Sequence, residues 1–379
     1  LCVLVGGRLW GGGGGGGGGG SPPAGPDPVE QDPTQAAPAE AKGTEGAEVQ
    51  PTAVPTEVPT PDGVLLGVYP SGFLYNYIDE ITGFDQWLEQ VDQEITIAAT
   101  FMDLEMKDPE TLVPKELDAA WDQGYIPFIN LSVGNLAEPR TSEHIAEGYL
   151  DDAIHDWAAA YAAWSAEGGK RAFIAPLQEM NGYWTTYGGD AAAFIEAYVR
   201  IRSIFREEGV APEAVSWVFA PNGWSEEGYE FEKFYPGDPV VDVVAFSSFN
   251  FGECSNWPKW ESYEELFKPY LERMTALAPD KPIFIAETGT VAEGGDKAEW
   301  LQTNFQKLAA YPNLRAILYF NRWEARSTLG NCPNGTDYRV YQPQTGEGLP
   351  GFLDAVDSED FIHLEPDSPA LDGILYNRP

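Results

Sequence analysis

Two glutamates stand where a carboxylate is costly to place. Glu179 lies in the run Ala175-Pro176-Leu177-Gln178-Glu179-Met180-Asn181-Gly182-Tyr183-Trp184, and Glu287 closes the apolar run Pro282-Ile283-Phe284-Ile285-Ala286 ahead of Thr288-Gly289-Thr290. Desolvating a charge at the end of a buried strand opposes folding unless a partner compensates it or chemistry uses it. Two such groups in one domain suggest an acid and a nucleophile. One carboxyl protonates a leaving oxygen while the other attacks or stabilises a cation-like carbon, which is what cleavage of a glycosidic bond requires. The acid must keep its proton near neutral pH, so it needs apolar neighbours, a nearby negative charge, or both. Glu179, beside Met180, Tyr183 and Trp184, meets that need if Glu287 stays ionised next to it. Taken singly, either glutamate reads equally as a helix cap or an arginine partner; together, in these frames, the acid pair is the better reading.

The elements that must position this pair alternate in type. From Val64 onward, short β-rich runs alternate with amphipathic stretches, the pattern of repeated βα units and a parallel sheet. The expected strands are Val64 to Val68, Glu94 to Thr100, Ile126 to Leu131, Ala172 to Leu177, Val215 to Ala220, Val241 to Phe246, Pro282 to Ala286 and Ala316 to Phe320. Helical periodicity marks Asp151 to Glu167, Ala191 to Glu208, Tyr263 to Ala276 and Ala298 to Ala309 between them. These strands with helical connections predict an α/β fold, a (β/α)8 TIM barrel over residues 63–379, with Glu179 after the fourth strand and Glu287 ending the seventh. Active sites of such barrels form at the C-terminal strand ends. The polar residues expected there include Tyr69, Asp103, Ser132, Gln178, Asn222, Asn250 and Asn321. The aromatic residues Trp184, Tyr187, Trp224, Phe249, Trp257, Trp260 and Trp323 also follow strands. Any one of these rings is as well explained by packing, but a set on one face suits stacking on pyranose units along an extended cleft. Asn222, before Gly223, fits either a turn or a hydrogen bond to a sugar hydroxyl.

Composition narrows the partners. Asp and Glu total 60 against 22 Lys and Arg, for a formal net charge of −38, and no basic cluster interrupts the excess. Nucleic acid and anionic membrane surfaces need clustered cations, so a neutral polysaccharide is the expected partner. The three histidines, His144, His155 and His363, are scattered without metal-ligand spacing, and neither a metal nor another cofactor is expected. Cys254 and Cys332 both follow predicted strands, and spacing alone leaves open whether they are bonded.

Residues 1–62 read differently. Leu1 to Trp10 resembles the remnant of a truncated export signal, Cys2 lacks the small residues that a lipid anchor needs before it, and Gly11 to Gly20 runs into a Pro/Ala/Thr/Glu tract. This composition predicts a disordered spacer that holds an exported, monomeric domain away from a cell surface. No stretch is long and apolar enough to be expected to span a membrane.

The motifs resemble glycoside hydrolase family 26. Glu179-Met180-Asn181-Gly182-Tyr183-Trp184 is similar to that family's acid/base motif, and Lys281-Pro282-Ile283-Phe284-Ile285-Ala286-Glu287-Thr288 to its nucleophile strand. Val215 to Asn222, Tyr235 to Asp238 and Ala316 to Asn321 extend the likeness. The resemblance implies Glu179 as acid/base, Glu287 as nucleophile, and retaining endo-cleavage of a β-linked polysaccharide. It implies β-1,4-mannan first, with mixed-linkage β-1,3-1,4-glucan or β-1,3-xylan as alternatives; the residues expected to bind that substrate are Gln178, Trp184, Asn222, Trp224, Phe249 and Trp323. Three positions depart from the pattern: Gln178 stands where histidine is usual, Ala175 where arginine is usual, and Phe249 where a tyrosine touches the nucleophile. Neither Ala175 nor Phe249 can supply a cation or a phenol. A catalytically silent carbohydrate-binding barrel is therefore the competing expectation from another class.

Overall fold

The structure is a computed structural model that describes residues 63–70, 77–134, 140–256, 258–324, 331–333 and 335–375. The expected spacer 1–62 and Trp257 lie outside the described residues.

Eight parallel strands close a barrel: β1 (Val64–Tyr69), β2 (Ile97–Asp103), β3 (Ile126–Ser132), β4 (Ala172–Pro176), β5 (Val215–Phe219), β6 (Val243–Asn250), β7 (Ile283–Thr290) and β8 (Leu314–Phe320). Closure runs from Leu65 opposite Ala316 to Tyr69 opposite Phe320. Helices α1 (Tyr77–Leu88), α2 (Pro109–Trp121), α3 (Ser142–Ala146), α4 (Asp151–Ser165), α5 (Ala191–Glu207), α6 (Tyr263–Leu266), α7 (Lys268–Leu277) and α8 (Lys297–Ala309) lie in the crossovers; α9 (Pro350–Val356) and α10 (Ala370–Leu375) follow the last strand. The (β/α)8 expectation is borne out.

Three details differ from the expectation. The β5–β6 crossover carries only one 3-10 turn, Phe231–Phe234, because Gly223, Gly228, Pro236, Gly237 and Pro239 leave no uninterrupted helical run. The helix expected over Tyr263 to Ala276 divides at Phe267, ahead of Pro269, which has no N–H to continue the ladder. The seventh strand does not end at Glu287 but continues to Thr290.

Both faces of a closed parallel sheet are buried, so each strand feeds two cores. Inside the barrel lie Leu65, Ile97, Phe128, Phe173, Val218, Val243, Phe284 and Leu318. Their neighbours in sequence, such as Leu66, Ala98, Ile129, Ile174, Val244, Ile285 and Ile317, pack outward with the helices. The inner core is tight enough to demand a glycine at position 67, where a Cβ would stand 2.8 Å from the Leu318 side chain. No helix among the described residues is long and apolar enough to cross a membrane.

Cys254 and Cys332 are joined by a disulfide, with Cα atoms 4.9 Å apart, linking the segment after β6 to the segment after β8. The bond spans 78 residues and limits the conformations open to the unfolded chain. Replacing both cysteines by serine should lower the unfolding free energy by about 2–4 kcal/mol in urea denaturation. A change below about 1 kcal/mol would show that the bond constrains little of the unfolded ensemble.

Candidate active site

Glu287 reaches the barrel mouth through an irregularity in its strand. Phe284 and Ala286 face inward and Ile285 outward, so strict alternation would send Glu287 out toward the helices. Instead the register with β6 shifts, Phe246 pairing with Ile285 but Ser247 with Glu287, and the register with β8 shifts between Ile285 and Thr288. The extra residue is a β-bulge, a device that re-aims a side chain. Glu287 is 2% exposed, and its Oε1 accepts a 2.7 Å hydrogen bond from Asn130 Nδ2. The same amide donates at 3.0 Å to the Tyr69 hydroxyl.

Glu179 is held by backbone strain that its neighbours override. Leu177 and Glu179 both have positive φ, 54° and 55°, a region that non-glycine residues occupy at a cost of about 1–3 kcal/mol each. Clamps on both sides fix this turn: Leu177 N donates to Leu131 O on β3, and Glu179 N donates to Ala220 O just past β5, each at 2.8 Å. The half-buried carboxylate accepts from Asn222 Nδ2 on Oε1 at 2.8 Å and from Trp184 Nε1 on Oε2 at 2.7 Å. Asn181 in turn fixes Asn222, accepting from its backbone N–H and donating to its carbonyl, both at 2.9 Å. Gly182 lies under the Trp184 ring, where a Cβ would approach to 2.3 Å, so only glycine lets the indole reach the acid.

The two carboxyls are electrostatically coupled. Burial pushes the Glu287 carboxyl well above the usual range, and the charge of Glu179 pushes it further; the Asn130 hydrogen bond and the Arg322 charge pull it back. Burial also raises Glu179, against the donors Asn222 and Trp184. Such a pair titrates as a unit, the first proton lost hindering loss of the second.

Around the pair, the Trp184 and Trp224 rings stack at 6.3 Å, and Tyr183 meets Trp184 edge-on at 5.1 Å. Tyr183 is 67% and Trp224 49% exposed, and Trp323, in the segment after β8, is 47% exposed. A cavity of about 560 Å³ abuts this platform, lined by Trp224, Glu226, Glu230, Tyr270 and Arg273 among others; neither catalytic candidate lines it.

The remaining expected residues divide. Gln178 is buried, and its carbonyl accepts from the Tyr187 hydroxyl at 2.8 Å. Phe249 is 9% exposed and packs on Phe251, Phe320 and Tyr338. Tyr187 is a core residue, and Trp260 lies against Gly295. Asp103 accepts from the Glu105 N–H of its own loop and from the Gly134 N–H of the loop after β3; Asn250 and Asn321 bind backbone groups of the loops that follow them. Sequence reasoning missed Asn130 and Arg322. Asn130 was signalled by parity, since it falls in phase with the inward-facing Ile126 and Phe128.

A closed (β/α)8 barrel with two coupled carboxyls and exposed aromatic rings beside them has the architecture of polysaccharide-cleaving barrels. Comparison with known proteins agrees. No protein-family model matches the chain. A stretch of 163 residues is 29% identical to Endoglucanase H of Acetivibrio thermocellus, covering 40% of this chain and 18% of that protein. Over 168 residues the chain is 29% identical to Mannan endo-1,4-beta-mannosidase A and B of Caldalkalibacillus mannanilyticus, covering 41% and 29%. The matched stretches thus span less than a third of either relative. In fold, the chain is similar to the catalytic domain of a family 26 endo-β-1,4-mannanase from a Bacillus species, with TM-score 0.57, 15% identity and coverage of 83% of this chain and 90% of that one. The structural likeness, at 15% identity, shows the shared barrel fold, and both partial sequence matches are to polysaccharide-cleaving proteins.

The donors on Glu179 make a measurable claim. Asn222→Ala or Trp184→Phe removes a hydrogen bond that favours the ionised acid, so the Glu179 titration should move up by about one pH unit in either variant. Carboxyl 13C NMR against pH reads this directly; an unmoved or lowered midpoint would mean that the donors do not govern its charge.

Proposed function

We propose that the chain is an exported, retaining glycoside hydrolase that cuts internal β-1,4-linkages of mannan by double displacement. The observation that carries this reading is the coupled pair of carboxyls, buried Glu287 and half-buried Glu179, beside exposed tryptophan and tyrosine rings. Glu287 Oε attacks the anomeric carbon as Glu179 passes its proton to the departing oxygen, leaving a glycosyl ester on Glu287. Water then gives its proton to Glu179, attacks the same carbon, and releases Glu287.

The resting hydrogen bonds bear on this cycle. Asn222 and Trp184 favour an anionic Glu179, which suits its second role as base. For the first role it must hold a proton. A sugar hydroxyl that draws the Asn222 amide away removes one donor, so substrate binding raises the affinity of Glu179 for that proton. Trp184, Trp224 and Trp323 offer flat apolar faces to successive sugar rings, and Gln178 lies beside the acid.

Substrate choice rests on the mannanase relatives, and the match to an endoglucanase favours mixed-linkage β-glucan as the second reading. Export is supported by the Cys254–Cys332 disulfide, a bond that persists in oxidising compartments. The N-terminal segment then acts as a spacer that tethers the enzyme at the cell surface, and the enzyme acts as a monomer.

Purified protein should release reducing ends from mannan, tested beside β-glucan, β-1,3-xylan and cellulose. Glu179→Ala and Glu287→Ala should each lower turnover at least about 10³-fold while retaining polymer binding in affinity gels. Near-normal turnover in either variant would sink the assignment. Binding by the wild-type protein with no product from any polymer would establish the silent carbohydrate-binding barrel instead.

A further inference from the structure

Glu287 brings a carboxylate into the barrel mouth, where Ala175 on β4 has only a methyl group and Phe249 on β6 only a ring packed on Phe251, Phe320 and Tyr338. Its donor comes from the far side. Asn130 lies on β3, opposite β7 in the closed strand order, and its amide nitrogen reaches Glu287 Oε1 at 2.7 Å. The same nitrogen donates at 3.0 Å to the hydroxyl of Tyr69 on β1, midway between β3 and β7 in that order. Asn130 is fully buried and Tyr69 almost so. The three side chains thus form a hydrogen-bonded line across the inside of the barrel.

We propose that Asn130 and Tyr69 are positioning residues for Glu287: the asparagine, anchored by the phenol, fixes the direction and the ionised state of the carboxylate that attacks. The inference rests on the nucleophile role proposed for Glu287. Toward a carboxylate an amide can present only its nitrogen, and here both N–H groups of that nitrogen are committed, one to Glu287 and one to Tyr69. Two fixed acceptors leave the planar group no freedom to swing. The supports behind it are rigid as well. The Tyr69 ring lies 5.2 Å from Phe101 and 5.8 Å from Phe320, and Asn130 is paired in the sheet with Phe101 on β2 and Ala175 on β4. A bond of 2.7 Å to an ionised acceptor belongs to the strong, charge-assisted class. Being buried, Asn130 and Tyr69 act through Glu287 and not on the sugar. The charges that act on Glu287 among the described residues are Glu179, which disfavours the anion, and Arg322, which favours it. Without the amide, burial and Glu179 shift the balance toward a protonated, non-nucleophilic Glu287.

Three variants separate the parts. Asn130→Leu nearly keeps the side-chain volume and removes the donor, Asn130→Ala removes both, and Tyr69→Phe removes only the hydroxyl. Each Asn130 variant should lower kcat on the best polymer about 10²-fold with KM within about twofold, since the sugar still binds but the attacking oxygen is out of line; Tyr69→Phe should cost about tenfold. The acidic limb of the kcat/KM profile should move up by about one pH unit in both Asn130 variants, because the lost bond favoured the anion and activity falls as pH drops through the Glu287 midpoint. Carboxyl 13C NMR, with the Glu287 signal identified by its absence in Glu287→Gln, should show the same rise without substrate. An unmoved midpoint in folded Asn130→Leu, or a raised KM with kcat intact, would overturn the proposal, and a wild-type kcat in Tyr69→Phe would overturn the part given to the phenol. If wild-type protein turned over no polymer, the glycosidase reading would fall, and the NMR midpoints would still decide whether Asn130 holds the Glu287 carboxylate.

Discussion

A carboxylate turned into an apolar barrel is the constraint around which the rest of the mouth is arranged. The bulge at Ala286 and Glu287 interrupts pairing with both neighbouring strands and points the acid toward the core side of β7. Burial there would hold Glu287 protonated and inert. The Asn130 hydrogen bond and the Arg322 charge act against that tendency, whereas Glu179 reinforces it. The state of the pair is therefore set by opposing influences, of which burial is the largest. Such a balance is what an acid and a nucleophile working in alternation require.

Glu179 is placed by different means. It stands outside the sheet on a turn with two exceptions to normal backbone geometry, Leu177 and Glu179, separated only by Gln178. Hydrogen bonds to the carbonyls of Leu131 and Ala220 hold that turn between two strands. Asn181, Asn222, Trp184 and Gly182 then lock the carboxylate from the solvent side. One acid is thus fixed by the sheet and the other by a strained loop, which lets their surroundings differ although they share a cleft.

Much of this was legible in the sequence, and the limits have physical causes. Alternating apolar runs gave the barrel, because a parallel sheet buried on both faces leaves long β-rich segments that helices must separate. The two glutamates were legible because charge in an apolar frame is conspicuous. Strand ends were less so: β6 and β7 run past Phe246 and Ala286 through Ser, Asn, Glu and Thr, which periodicity reads as loop and which barrel register keeps as strand. The bulge has no sequence mark at all, since Ala286 looks like any inward residue. Partner choice was equally hidden. Asp103, Asn250 and Asn321 have the same types as binding residues but spend their groups on loop backbone, while Asn130 reaches Glu287 only through a contact that the fold creates.

The central claim is that Glu287 is the nucleophile of a coupled pair. The most direct measurement is mass spectrometry of the protein after incubation with an activated 2-deoxy-2-fluoro β-glycoside of the preferred sugar, which slows release of a covalent intermediate. The account predicts one glycosyl adduct, on the peptide that contains Glu287, and none in Glu287→Gln. An adduct on another residue, or first-formed products of inverted configuration with no adduct on a polymer that is turned over, would contradict it.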